Sequence, residues 1–239
     1  MHLNERQNNI LSILKDCKSA SVKELAARLF VSEATVRRDL TEMRSLGLLE
    51  RSHGGAFLSE TAEEVSIFIR INKNAEEKER AVTNALPLIP PFQSVFVDSS
   101  STALALAERM DLSHKTVVTN NLQTAIQLSK KSDVHLIVLG GSVQYTTVSA
   151  TGSLAVRQLQ EFSFDLMICS CASIKNGEAL ERSLEQKEIK ATAFSRSRFR
   201  LLVFDNSKYD AHGTYKVAML SDFDAVATNA PLPEGASSH

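Results

Sequence analysis

Four short polar stretches each follow an apolar run: DSSST (Asp98, Ser99, Ser100, Ser101, Thr102), TNN ending at Asn121, GGS opening with Gly140 and Gly141, and DNSK ending at Lys208. Hydroxyls that lead into a helix sit beside free backbone N–H groups and the positive end of the helix dipole, which suits a phosphate. The Gly pair lets backbone approach a ligand closely. Lys208 can add a point charge, and Asp98 or Asn121 can accept hydrogen bonds from sugar hydroxyls. Each stretch has a plainer reading as helix cap, turn or solvated lysine. What singles them out is that all four follow strand-like runs, where open α/β sheets place their ligands.

A second set of residues opens the chain's other chemistry. In SEATVRRDLTEM, at ~100° per residue, Val36, Leu40 and Met43 gather on one side of a helix, with Arg38 and Thr41 opposite and Thr35 and Arg37 flanking. Ser32 fits the N-cap and Gly47 the stop. A short helix with two arginines on its open face, followed by RSHGG, suits DNA: base readout from the helix N-terminus and phosphate contacts from Arg51 or His53, with Ser32, Glu33, Thr35, Arg37 and Arg38 as the helix's candidate contacts. The competing reading pairs the arginines with Glu33, Asp39 or Glu42.

These residues need elements to hold them. ERQNNILSILK carries helical spacing, and SASVKELAARLF continues it with Ser21 and Glu24 in the S-x-x-E capping pattern. Three or four residues then separate the second helix from the third, a helix-turn-helix connection. LLERSHGGAFL reads as a hairpin, so residues 1–58 form a winged helix-turn-helix. Residues 59–77 read as a charged linker, with Asn74 capping the helix that opens a second domain over 78–239. There, six apolar β-rich runs alternate with helical ones, the pattern of a mostly parallel sheet covered by helices. The fold class is α/β with a winged helix in front.

At 239 residues and 43% hydrophobic, the chain has material for two cores. The net charge of -1 hides a split of +2 before Leu58 and -3 after it, which permits DNA binding without requiring it. Cys17, Cys169 and Cys171 have neither C-x-x-C spacing nor a histidine cluster suited to zinc. The last two, on one side of a strand, read as packing. The absence of a signal-peptide pattern and of a membrane-length apolar run gives a cytoplasmic expectation, with no cofactor and no metal.

Over nearly its whole length the chain resembles the DeoR family of bacterial transcriptional regulators. The resemblance rests on ERQNNILSILK, SVKELAARLFVSEATVRRDLTEMRSLGLLERSHGGA, NAEEK, VDSSSTALALA, VVTNN, LGG, LEQKEIK and DNSKY. It implies a second domain related in fold to sugar-phosphate isomerases, a phosphorylated sugar or related metabolite as effector, and effector contacts at 98–102, Asn121, Gly140, Gly141, Lys190 and Lys208. The chain departs from the family's usual D-x-G-T-T loop by carrying Ser100 and Ser101, and SCASI stands where G-A-x-G-I is common. The expected protein is an oligomeric repressor of carbohydrate utilisation, bound to operator DNA and not an enzyme. The rival is a sugar-phosphate isomerase with a DNA-binding appendage, whose acid or base would come from Asp98, Glu185 or Asp205. A third reading makes the second domain an assembly module.

Overall fold

The computed structural model describes residues 4–45, 48–52, 54–57, 66–131, 133–209 and 211–232. His53, the helix stop expected at Gly47, Leu58 and residues 59–65 of the linker region lie outside them. The chain divides into two compact units, residues 1–69 and 70–239.

The first unit begins with α1 (Glu5–Cys17), β1 (Ser19–Ser21), α2 (Val22–Leu29) and α3 (Glu33–Ser45), followed by β2 (Glu50–Ser52) and β3 (Gly55–Phe57). Asn4 and Gln7 form a capping box on α1, and Ser21 and Glu24 form one on α2, as the sequence spacing predicts for the latter. Three residues join α2 to α3, with Phe30 in the left-handed region at φ 54°. Val36, Leu40 and Met43 are fully buried against Ile10, Leu14 and Leu25 in one core. Burying each such side chain contributes about 1.5–3 kcal/mol.

The expected two-stranded hairpin is a three-stranded sheet in the order β1-β3-β2. Ser19–Ser21 leads into α2, as expected, and also pairs antiparallel with β3. Gly55 makes this possible, because a Cβ there would lie 2.2 Å from the Ala20 carbonyl oxygen.

Within the segment expected to act as a linker, Ile67–Asn72 forms α4. Ile67 is buried, and Phe68 and Ile69 pack against the winged-helix core. Asn74 precedes α5 (Ala75–Ala85), but its side chain makes no capping bond. It adopts a left-handed conformation and donates from Nδ2 to Asp205 Oδ1 at 3.3 Å.

The second unit continues through β4 (Ser94–Val97), α6 (Ser101–Arg109), β5 (Thr116–Thr119), α7 (Leu122–Leu128) and β6 (His135–Val138). A hairpin of β7 (Ser142–Gln144) and β8 (Ser149–Thr151) leads to α8 (Ser153–Gln160) and β9 (Phe164–Cys169). Then come β10 (Ser173–Lys175), β11 (Glu178–Glu181), α9 (Leu184–Ser195), β12 (Ser197–Phe204), β13 (Tyr215–Met219) and β14 (Ala225–Thr228). Six of these strands form one parallel sheet in the order β14-β12-β9-β4-β5-β6. A smaller antiparallel sheet, β10-β11-β13, was not legible in the sequence.

The six parallel strands are those the apolar runs predict. Alternate residues serve opposite faces: Val95, Val97, Leu166, Ile168, Leu201 and Val203 meet α5 and α6, while Phe96, Met167, Cys169, Leu202 and Phe204 meet α8 and α9. Cys169 and Cys171 are packing residues in the second cluster, and burial raises both thiol pKa values, so neither is a ready thiolate. No helix among the described residues is long and apolar enough to cross a membrane.

Candidate functional site

On α3 the Ser32 hydroxyl accepts from the Thr35 N–H at 3.2 Å and lies 2.9 Å from its hydroxyl, capping the helix start. Arg37 pairs with Glu33 at 2.9 Å, one turn back. Asp39 does not join them. It is buried and takes a two-pronged bond from Arg6 of α1, at 2.5 and 3.1 Å. Arg38 is therefore left exposed, without an ion pair among the described residues. Arg51 of β2 donates to Thr41 Oγ1 at 2.9 Å, which holds the wing strand against the outer face of α3. The competing reading of paired arginines thus holds for Arg37 alone.

In the large sheet the strand order reverses between β4 and β9, which is where ligands bind in open α/β sheets. Asp98 follows β4, and both of its oxygens are engaged. Oδ1 accepts from Ser100 N at 2.9 Å and from the Ser100 hydroxyl at 2.5 Å, while Oδ2 accepts from Ser170 N at 3.1 Å and from Lys190 Nζ. Lys190 also donates to the Ser170 carbonyl at 2.8 Å and pairs with Glu181 at 3.2 Å. Burial works against its charge, but Asp98 and Glu181 outweigh that and raise its pKa. Lys190 is a locked structural cation.

The rest of the first loop is tied inward too. Ser99 donates to Gln186 Oε1 at 2.8 Å, and Gln186 Nε2 reaches Gln144, Thr147 and Ser149 at 2.8–3.2 Å. Asn121 is fully buried: Nδ2 donates to the Thr147 carbonyl at 2.8 Å and Oδ1 accepts from Thr124 N at 2.8 Å, capping α7. Its amide is committed inside the protein. Ser101 and Thr102 differ, for they open α6, where first-turn N–H groups lack intrahelical acceptors. Their hydroxyls make no hydrogen bond among the described residues. Ser100 spends its own on Ala103 N at 3.1 Å.

Gly140 and Gly141 make no hydrogen bond to this network among the described residues. Gly140 N donates to Gln158 Oε1 at 2.8 Å, and Gly141, at φ 153°, has no room for a Cβ, which would stand 2.5 Å from the Thr151 carbonyl oxygen. Packing alone accounts for that glycine.

Lys208 stands near the reversal point, on a single 3-10 turn after β12. The charges of Lys208, Lys190, Asp98 and Glu181 all act on the Cys171 thiol, so all four lie within electrostatic reach of it. The side chain of half-buried Lys208 has no hydrogen bond or ion pair among the described residues. Burial lowers its pKa, with Arg70 and Arg182 adding to the effect and Asp205 opposing it. The sequence reading missed Lys78 of α5, which is buried in the same field and donates to the Arg70 carbonyl. Its pKa falls to about 8, mainly through burial, with Lys208, Arg70 and Lys73 adding to the effect and Asp205 opposing it. The only signal for it was a lysine in the NAEEK motif.

The winged helix and the sheet match two family models, a DeoR-like helix-turn-helix domain over residues 6–62 and a DeoR C terminal sensor domain over 73–230. The chain belongs to the DeoR family of transcriptional regulators. This DeoR-family chain is 31% identical to the Glycerol-3-phosphate regulon repressor of Escherichia coli (strain K12), over 98% of this chain and 93% of that protein. It is 32% identical to the L-fucose operon activator of Haemophilus influenzae, over 97% of this chain and 94% of that one. Among solved structures, the ribose 5-phosphate isomerase A of Methanocaldococcus jannaschii aligns at 11% identity and a TM-score of 0.41, covering 57% of this chain and 55% of the other.

Proposed function

We propose that this regulator represses a carbohydrate-utilisation operon and releases its operator when a phosphorylated sugar or polyol binds at the strand reversal of the sensor sheet. The unit from residue 78 onward then binds the effector and supports oligomerisation, and two winged helices read paired half-sites. The observation that carries the effector reading is Lys208, a half-buried cation with no partner, beside a triad in which every other charge is satisfied. Ser101 and Thr102 complete the anion contacts. Arg38 reads a base or meets a phosphate, with Arg51 and Ser32 on the flanking backbone.

An isomerase reading has less support, because Asp98 is held by Lys190 and Glu185 is exposed. Asp205 has its pKa lowered: burial alone would raise it, but the Ser207 hydrogen bonds and the Lys208 charge prevail. None of the three is a poised base.

A thermal-shift screen of phosphorylated sugars and polyols tests the proposal, since a ligand of the folded state raises stability by RT ln(1 + [L]/Kd). A hit should also weaken operator binding, and Lys208→Ala should reduce the hit's affinity while leaving operator affinity without effector unchanged. A set of phosphorylated compounds that neither stabilises the protein nor alters operator binding would sink the proposal. Reporter expression that falls when the regulator is deleted would mark it as an activator.

A further inference from the structure

Ser170 stands directly after β9, and its backbone is fixed at both ends. Its N–H donates to Asp98 Oδ2 at 3.1 Å, and its carbonyl accepts from Lys190 Nζ at 2.8 Å. Only the side chain is free to turn. Its hydroxyl is buried and makes no hydrogen bond among the described residues. An unmet buried hydroxyl lowers stability, and the glycine common at this position in the family pattern would bring no such cost. The direction of the side chain follows from its neighbours. Cys169 and Cys171 pack in the cluster under α8 and α9, whereas Leu166 and Ile168 pack with Ala103, Leu106 and Ala107 of α6. Alternation therefore turns Ser170 to the α6 face. The Asp98 carboxylate links it to the start of that helix, because the other carboxylate oxygen accepts from the N–H and the hydroxyl of Ser100, the N-cap. Ser101 and Thr102 follow at once. The hydroxyl of Ser173 is orphaned too, but a Cβ on Gly213 would stand 2.6 Å from it, so a neighbouring segment of backbone covers it.

We propose that Ser170 is a specificity-determining residue of the sensor site, its hydroxyl bonding a neutral oxygen on the effector carbon next to the phosphorylated one. The inference rests on the effector reading above and adds the part of the ligand that the protein discriminates. The surroundings set the class of group. Asp98 and Glu181 flank the single charge of Lys190, which leaves the interior beside Ser170 net negative and disfavours a second anionic group there. A hydroxyl or a carbonyl meets no such penalty, and a serine hydroxyl can donate to either. An analogue lacking that oxygen leaves the buried hydroxyl unmet again, so the site rejects it.

The test uses the full chain, thermal shift and calorimetry, with glycerol 3-phosphate and 3-hydroxypropyl phosphate as a probe pair that differs only in the middle hydroxyl. The wild type should bind the first about tenfold more tightly than the second. Ser170→Ala should bind both as the wild type binds the second, and Ser170→Thr, which keeps a hydroxyl, should retain part of the preference. Without ligand, Ser170→Ala should melt at a higher temperature than wild type, because an unmet hydroxyl has been removed. A variant that melts lower, or fails to fold, shows that the hydroxyl serves the fold and overturns the proposal. A preference that survives in Ser170→Ala overturns it as well. Equal binding of the pair by wild type, or binding of neither by a protein that another phosphorylated sugar or polyol does stabilise, overturns it and leaves the effector reading in place. No stabilisation of the wild type by any phosphorylated compound overturns both.

Discussion

In the winged helix buried Asp39 is paired with the partly exposed Arg6, and the cation next along the helix, Arg38, stands in water. In the sensor sheet the relation is inverted: Lys190 lies buried between Asp98 and Glu181, and the cation left over, Lys208, is half-buried beside them. In both units a buried carboxylate is held by a cation, and a cation without an ion pair among the described residues stands close by. They differ in where this second cation sits. An exposed arginine can meet a polyanion that arrives from solution as a broad surface, whereas a half-buried lysine suits a small anion that leaves most of its water behind.

The strongest way to break this comparison is Lys190→Ala, which strands two buried carboxylates. It should cost about 3–5 kcal/mol in urea denaturation of the full chain. A loss below about 1 kcal/mol would mean the triad is not a frame. Asp39→Ala should act in the same sense but more weakly, by about 1–3 kcal/mol, because Arg6 is partly exposed and can turn to solvent. Arg38→Ala should do the reverse. Its melting temperature should match wild type while operator affinity falls by about 1–3 kcal/mol if Arg38 reads a base, or the salt slope drops by about one unit if it meets phosphate. Unchanged affinity across a salt titration would remove Arg38 from the interface.

The smallest expected effect concerns pH. An unfolded lysine titrates near ~10.4, whereas folded Lys78 does so at about 8. Between those values the unfolded chain binds more protons, so this group makes the protein gain stability as pH rises from about 8. Lys78→Met should flatten that slope, and an unaltered slope would show that Lys78 is not the group responsible.

Much of this was readable before any coordinates. The parallel strands were legible because both faces are covered, which leaves near-continuous apolar runs such as FDLMIC and RLLVF. Ser32 and Ser21 announced their helices because caps are local chemistry. What stayed hidden depends on partners distant in sequence. Ser19–Ser21 is a strand only because Gly55 admits it alongside β3, and β11 finds β13 across some thirty-five residues that include α9. Asp39 looked like a neighbour for Arg38 until Arg6, 33 residues away, proved to hold it. Asn121 came with the polar stretch TNN and Lys190 with the family pattern, but the sequence could not distinguish a residue facing a ligand from one holding the loops that do. Lys78 sits in a stretch of charged residues, AEEKER, that reads as solvated, and only its burial reveals it.

The pairing of β3 on both sides has a further consequence for how the wing meets DNA. β1 and β2 flank it, and the Val22 N–H donates to the Gly54 carbonyl at 2.8 Å just beyond the pairing with β1. The conformational freedom of this strand is surrendered when the domain folds, so none remains to be lost at the operator. Association should then carry a modest heat-capacity change set by the area covered, with no added component from ordering this strand.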